Sequence, residues 1–171
     1  RILVDRFKST NTGDFMRMDR LTLKAQEALQ EAQAQAKELG HAEVRPLHLL
    51  TVLARQKEGI VVPVLQRLGT DPRAVATAAD ERLAASARVQ GDLDVGLSRS
   101  LVQTLETARK ISKEFQDEYL STEHMLLAIS RGRDEAAEVL RAAGATEQGL
   151  LAALSEVRGS NRVTDQNPEE K

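Results

Sequence analysis

Few residues in this 171-residue chain have side chains suited to chemistry. It has three histidines, His41, His48 and His124, and no cysteine. Without cysteine, neither a disulfide nor a thiolate metal site can form. His48 and His124 each open an apolar run, in Pro46-Leu47-His48-Leu49-Leu50 and Glu123-His124-Met125-Leu126-Leu127. One reading pairs them as a metal or catalytic site. The other makes each a side chain that packs in the first turn of a helix and hydrogen-bonds the preceding loop. No H-E-x-x-H spacing accompanies them, which favours the second reading. Asp117, Glu118 and Glu123 lie in and just after the loop before the second run. A carboxylate in a first helical turn is favoured by the helix dipole. At a loop and a first turn, Asp117 and Glu123 are expected to lie largely in water. No nucleophile–base pair stands out and no G-x-x-x-x-G-K-[ST] run exists, so no catalytic residue, metal or cofactor is expected in this chain.

The bulk composition agrees with a binding role. Hydrophobic residues make up 41% of the chain but aromatic ones only 2%, so the core must be built from Leu, Val, Ile and Ala. Such a core suits packed helices, since strands favour aromatic and β-branched residues. The net charge of −2, with both signs mixed along the chain, argues against a broad nucleic-acid footprint. No apolar run reaches membrane-spanning length and no signal-peptide pattern opens the sequence. The reading is a cytoplasmic domain that binds neither nucleic acid nor membrane.

The elements that position these residues are helical throughout. Ala25, Ala28, Leu29, Ala32, Ala36 and Leu39 recur at helical spacing after Thr22, a plausible cap, and Gly40 follows as a stop. Pro46 can open a second helix. A third is expected from about residue 60 to 68, with Pro63 tolerable only in its first turn. Asp71 and Pro72 form a cap and first-turn pair for a fourth. Residues 89–96 read as a connection. Then the pattern returns: a shift of 76 places His124 on His48, Leu97 on Leu21 and Leu105 on Leu29. After a one-residue deletion the same register puts Gly144 on Gly69. Four helices repeated in order with matching stops argue for an internal duplication. The fold expected is all-α, about eight helices in two tandem four-helix repeats packed about a pseudo-twofold axis. Residues 1–15 are set aside as a leader. Residues 16–158 form the domain, with repeats at about 21–86 and 97–158. Residues 159–171, almost without apolar side chains, read as a linker.

These residues resemble a known family. Met16-Arg17-Met18-Asp19-Arg20-Leu21-Thr22, Leu39-Gly40-His41, the run around His48 and Glu118-Tyr119-Leu120-Ser121-Thr122-Glu123-His124 are similar to the Clp repeat. That double repeat is the N-terminal domain of the Clp AAA+ unfoldases. The opening and the Arg162-Val163-Thr164-Asp165-Gln166-Asn167-Pro168 tail look most like the ClpB-type disaggregases.

The resemblance implies a substrate-binding domain that engages unfolded or aggregated proteins and hands them to an ATP-driven ring. The domain itself would be monomeric and the parent a hexamer, with ATP and Mg²⁺ bound in ATPase modules absent from this chain. The alternative is an N-domain of a ClpA- or ClpC-type protease partner that docks adaptor proteins. In ClpB-like domains the positions of Thr22, Asp117 and Glu123 are associated with aggregate handling, beside which their capping roles stand open. In ClpC-like relatives, acids before both repeat histidines receive phosphoarginine. Here Glu123 precedes His124 but Leu47 precedes His48, and an apolar side chain cannot pair with a guanidinium. An adaptable apolar surface is the other binding candidate. Leu101, Val102 and Leu105 span more than one face of the fifth helix, so Leu101 and Leu105 read as core and Val102 as partly exposed.

Overall fold

The computed structural model describes residues 18–91, 94–159 and 162–168. The leader expected over residues 1–15 lies outside them. Among the described residues eight α-helices carry nearly all the regular structure: α1 (Leu23–Glu38), α2 (Pro46–Arg55), α3 (Val61–Leu68), α4 (Pro72–Ala84), α5 (Arg99–Glu114), α6 (Thr122–Arg131), α7 (Glu135–Ala142) and α8 (Glu147–Arg158). Most start where a side chain meets the free N–H groups of the first turn. Thr22 Oγ1 accepts from the Ala25 N–H at 3.2 Å. Its counterpart Ser98 accepts from Leu101 at 3.0 Å. Asp71, Asp134 and Thr146 do the same for α4, α7 and α8. Pro63 falls in the first turn of α3, where its missing N–H has no helical partner to lose.

α2 and α6 are buried on nearly every side, from Pro46 through Ala54 and from Thr122 through Ile129. The other helices bury one stripe each and wrap these two. Contacts between halves come in reciprocal pairs: α3 packs on α8 and α7 on α4, α1 on α6 and α5 on α2, with α2 against α6 at the centre. The backbone obeys the same symmetry. A two-residue strand β1 (Glu43–Val44) pairs in parallel with β2 (Gly96–Leu97), and Leu21 bridges to Leu120. The Ser98 N–H donates to the Val44 carbonyl at 2.9 Å, and the Thr22 N–H to the Leu120 carbonyl at 3.0 Å. Each half therefore starts its first helix by bonding to the loop of the other.

Two features depart from symmetry or from expectation. In the first half α4 lies closely along α2, whereas in the second α8 touches α6 much less and leans instead on α3. That asymmetry shapes the candidate site. The linker expected from residue 159 onward is, over residues 162–168, tied to the body. Val163 is only 5% exposed. Its carbonyl accepts from the N–H groups of Glu118 and Tyr119, and the Gln166 carbonyl accepts from Leu23 at the start of α1.

Candidate functional site

The repeat histidines do the same local job twice. The Arg45 N–H donates to His48 Nδ1, and the Ser121 N–H donates to His124 Nδ1, each at 2.8 Å. Each ring thus closes the N-terminus of its helix, as the capping reading expected. With Nδ1 accepting, Nε2 faces back seven residues. It meets His41 Nδ1 at 2.8 Å in the first half and Asp117 Oδ2 at 2.7 Å in the second. Asp117 therefore occupies the place of His41, one repeat on.

That single exchange gives the two halves opposite electrostatics. In the first half the pair is kept neutral. Burial, then the neighbouring His41 and Arg45, lower His48 to about 4. Burial first and Arg45 second also lower His41, against a hydrogen bond to the Leu83 backbone. Leu47 seals the loop beside them at 2% exposure. In the second half the histidine's partner is a charged carboxylate. The Arg158 guanidinium forks onto the Asp117 carboxylate, with Nη1 to Oδ2 at 2.8 Å and Nη2 to Oδ1 at 2.7 Å. The Val163 N–H adds a third donor at 2.8 Å. Burial by itself would raise the pKa of Asp117, but the hydrogen bonds from His124, Arg158 and Val163 outweigh it and hold the carboxyl well below the ordinary range. Glu123 sits 3.6 Å from the same guanidinium and accepts the Ser121 hydroxyl. Phe115 lies under Arg158, 5.4 Å from ring centre to guanidinium carbon.

The expectation that Asp117 and Glu123 lie largely in water is overturned: they are 8% and 4% exposed. The partner that makes this possible, Arg158, is distant in sequence: it forks onto Asp117 and lies beside Glu123, so burial strands neither carboxylate without a partner. Above this network lies a cleft of about 290 Å³, walled by Glu58, Gly59, Ile60 and Pro63 on one side, Val157 and Arg158 on another, and Arg162, Val163 and Pro168 of the tail, with Glu123 at its base. A second hollow, lined by Phe115, Leu151 and Leu154, meets it at Arg158 and Arg162. Val157 is 39% exposed, one of the few large apolar side chains left open.

Of the residues singled out in the sequence, the structure brings Asp117 and Glu123 together on Arg158, Glu123 alone of them lining the cleft, and leaves the others apart. Thr22 is a fully buried cap whose N–H reaches the loop after Asp117 through Leu120. Leu105 is 0% exposed and belongs to the core, and Val102 is half-buried on α5. Neither lines the cleft. Three residues of the network were missed, Phe115, Arg158 and Val163, and so was the role of His41 in the neutral pair. The shift of 76 that pairs the histidines also pairs His41 with Asp117, so that link was within reach. Arg158 carried no signal, because a basic residue at a helix C-terminus is ordinary. Among the described residues no three His, Asp or Glu side chains converge to hold a metal ion, and no helix is long and apolar enough to cross a membrane.

Two interlocked four-helix repeats are the fold of the N-terminal domains of the Clp proteins. The chain belongs to the Clp repeat (R) N-terminal domain family, which it matches over residues 20–143. It is 37% identical over 153 residues to the chaperone protein ClpB of Rhodopirellula baltica, an alignment covering 90% of this chain and 17% of that protein. The chain thus spans under a fifth of the length of that relative. In fold it is similar to the Hsp104 N-terminal domain from Candida albicans, with a TM-score of 0.78 at 20% identity over 88% of this chain and 99% of the other. It is also similar to a ClpV N-domain in complex with a VipB peptide, with a TM-score of 0.64 at 20% identity over 84% and 89% of the two chains.

Proposed function

We propose that this domain is the client-binding N-terminal domain of a ClpB-type disaggregase, and that the cleft over the Asp117–Glu123–Arg158 network receives unfolded segments. The observation that carries the reading is the pairing of an open apolar wall, Ile60 and Pro63 from the first repeat and Val157 from the second, with the buried Glu123 carboxylate beside Arg158. Apolar walls reward exposed hydrophobic segments of any sequence. Fixed polar groups beneath them engage the peptide backbone that every segment carries. The reading is supported by ClpB relatives that share over a third of their residues with this chain, and by the peptide held by the related ClpV fold. In the parent protein, a cytoplasmic hexamer, ATP and Mg²⁺ would bind in ATPase modules, and this domain would deliver clients weakly enough to release them to the ring.

Testing this role through Asp117 or Glu123 would confuse function with folding, since removing one partner of a buried charge pair costs about 3–5 kcal/mol. The clean variant is Val157→Ser, at an exposed position where substitutions typically shift stability by within about 0.5 kcal/mol. Anisotropy with fluorescent β-casein, a natively unfolded probe, should report at least a fivefold loss of affinity with an unchanged melting temperature. An unaltered affinity would refute the cleft as the client site. Selective loss of binding to a folded adaptor would favour the ClpA- or ClpC-type reading.

A further inference from the structure

The tail over residues 162–168 is held by the groups that make up the candidate site. Val163 gives its N–H to the Asp117 carboxylate, the centre of the network. Its carbonyl takes the N–H groups of Glu118 and Tyr119 at 2.8 and 3.2 Å. At the other end the Gln166 carbonyl accepts from Leu23, and the Gln166 amide donates to the carbonyls of Asp19 and Leu21. Val163 and Pro168 form one side of the cleft, facing a space bounded by Ile60, Pro63 and Val157. The attachment is therefore a main-chain segment with one apolar side chain inserted, while Thr164 stays exposed and Asp165 and Asn167 half-exposed. Those are the elements an unfolded polypeptide can offer at almost any point along its length.

We propose that residues 162–168 are a displaceable wall of the cleft, a strap whose place on the Asp117 carboxylate and on the Glu118 and Tyr119 N–H groups an incoming unfolded segment takes. The proposal rests on the client-binding reading above and adds competition to it. A segment anchored by a few backbone bonds and one valine belongs to the part of a fold that opens most readily. If it is closed about nine-tenths of the time, it weakens the apparent affinity for a client about tenfold. Client capture would also free the chain at residue 162. Site occupancy would then be coupled to how tightly the tail is held.

The full 171-residue chain is compared with the double variant Val163→Gly and Gln166→Ala, by amide hydrogen exchange and by anisotropy with labelled β-casein. The strap predicts faster exchange at Glu118, Tyr119 and Leu23 in the variant, together with at least fivefold tighter probe binding. In the unmodified chain, saturating probe should deprotect the same three amides. Continued protection of those amides at saturation overturns the strap, as does a released tail with no gain in affinity. Val157→Ser separates the two ideas. If it weakens the probe while the double variant leaves affinity unchanged, the strap falls and the client site stands. If neither variant moves the probe, the client site falls and takes the strap with it.

Discussion

His48 and Asp117 set the response of the fold to acid, in two separate windows. The unfolded chain binds a proton at a histidine near pH 6.5, but folded His48 does so only at about 4. Between those values the unfolded state holds more protons, so stability falls as the pH falls, by an amount on the order of 3 kcal/mol. His41, shifted the same way, adds to it. Asp117 acts lower down. Its folded pKa is depressed, so its contribution is intact above about pH 4 and is lost as the carboxyl is forced to protonate. Thermal melts from pH 7.5 to 3 should show the melting temperature sliding between 6.5 and 4 and falling further below 4. A flat profile down to 4.5 would contradict the neutral histidine pair. A second effect concerns backbone strain. Gly40 ends α1 at a φ of 74°, and its repeat equivalent Gln116 adopts 60° with a side chain attached. The left-handed conformation costs a non-glycine residue about 1–2 kcal/mol. Gln116→Gly should therefore stabilise the domain by about 0.5–1 kcal/mol after the added freedom of the unfolded glycine, raising the melting temperature by about 1–4 °C.

Among the elements, α5 offers a direct comparison of two neighbouring positions. Leu105 is packed on all sides while Val102 is half-buried. Leu105→Ala should cost about 2–5 kcal/mol, as buried truncations do, and lower the denaturant midpoint without altering its slope. Val102→Ala should cost well under half as much. Equal losses would mean that α5 buries a different stripe. The helices and their faces were legible in the sequence because period and caps are local: Thr22, Ser98, Asp71 and Pro72 mark starts within a few residues of where they act. The charged cleft was not. Asp117 and Arg158 are 41 residues apart and meet only in the folded chain. Asp and Glu are seldom fully buried unless paired, so a lone reading of Asp117 or Glu123 points to solvent. Nor could one valine in a polar tail announce that Val163 is inserted in the body. Periodicity finds faces, and neither of these features is a face.

At the scale of the whole molecule, the crossed backbone bonds make neither half self-sufficient. The start of α1 is completed by Leu120 and the start of α5 by Val44. Exposed ion pairs, Arg45 with Glu135 and Arg82 with Glu138, span the same seam but each is worth under about 1 kcal/mol. The seam is therefore held mainly by α2 against α6 and by the reciprocal helix contacts, and a half expressed alone should be unfolded by circular dichroism. The covalent connection between halves does little of this work. Val89, Gln90 and Gly91 are all exposed, and exposed loops tolerate cutting. Two fragments, 1–91 and 92–171, should accordingly find each other when coexpressed and elute as one folded pair. Failure to associate would show that the connection carries more than its exposure suggests.

The reciprocal pairing of Leu21 with Leu120 and of Val44 with Leu97 has a historical consequence. Two copies of a single four-helix ancestor would close every one of these bonds as a symmetric dimer, with no linker at all. Fusion of the copies then frees each from having to match the other. The present chain differs between its copies at one such pair of positions: one has a histidine at 41, held in a neutral pair, and the other an aspartate at 117, which binds Arg158 beside the cleft. A homodimer could not have made that choice once, because each change would have appeared on both sides of its axis.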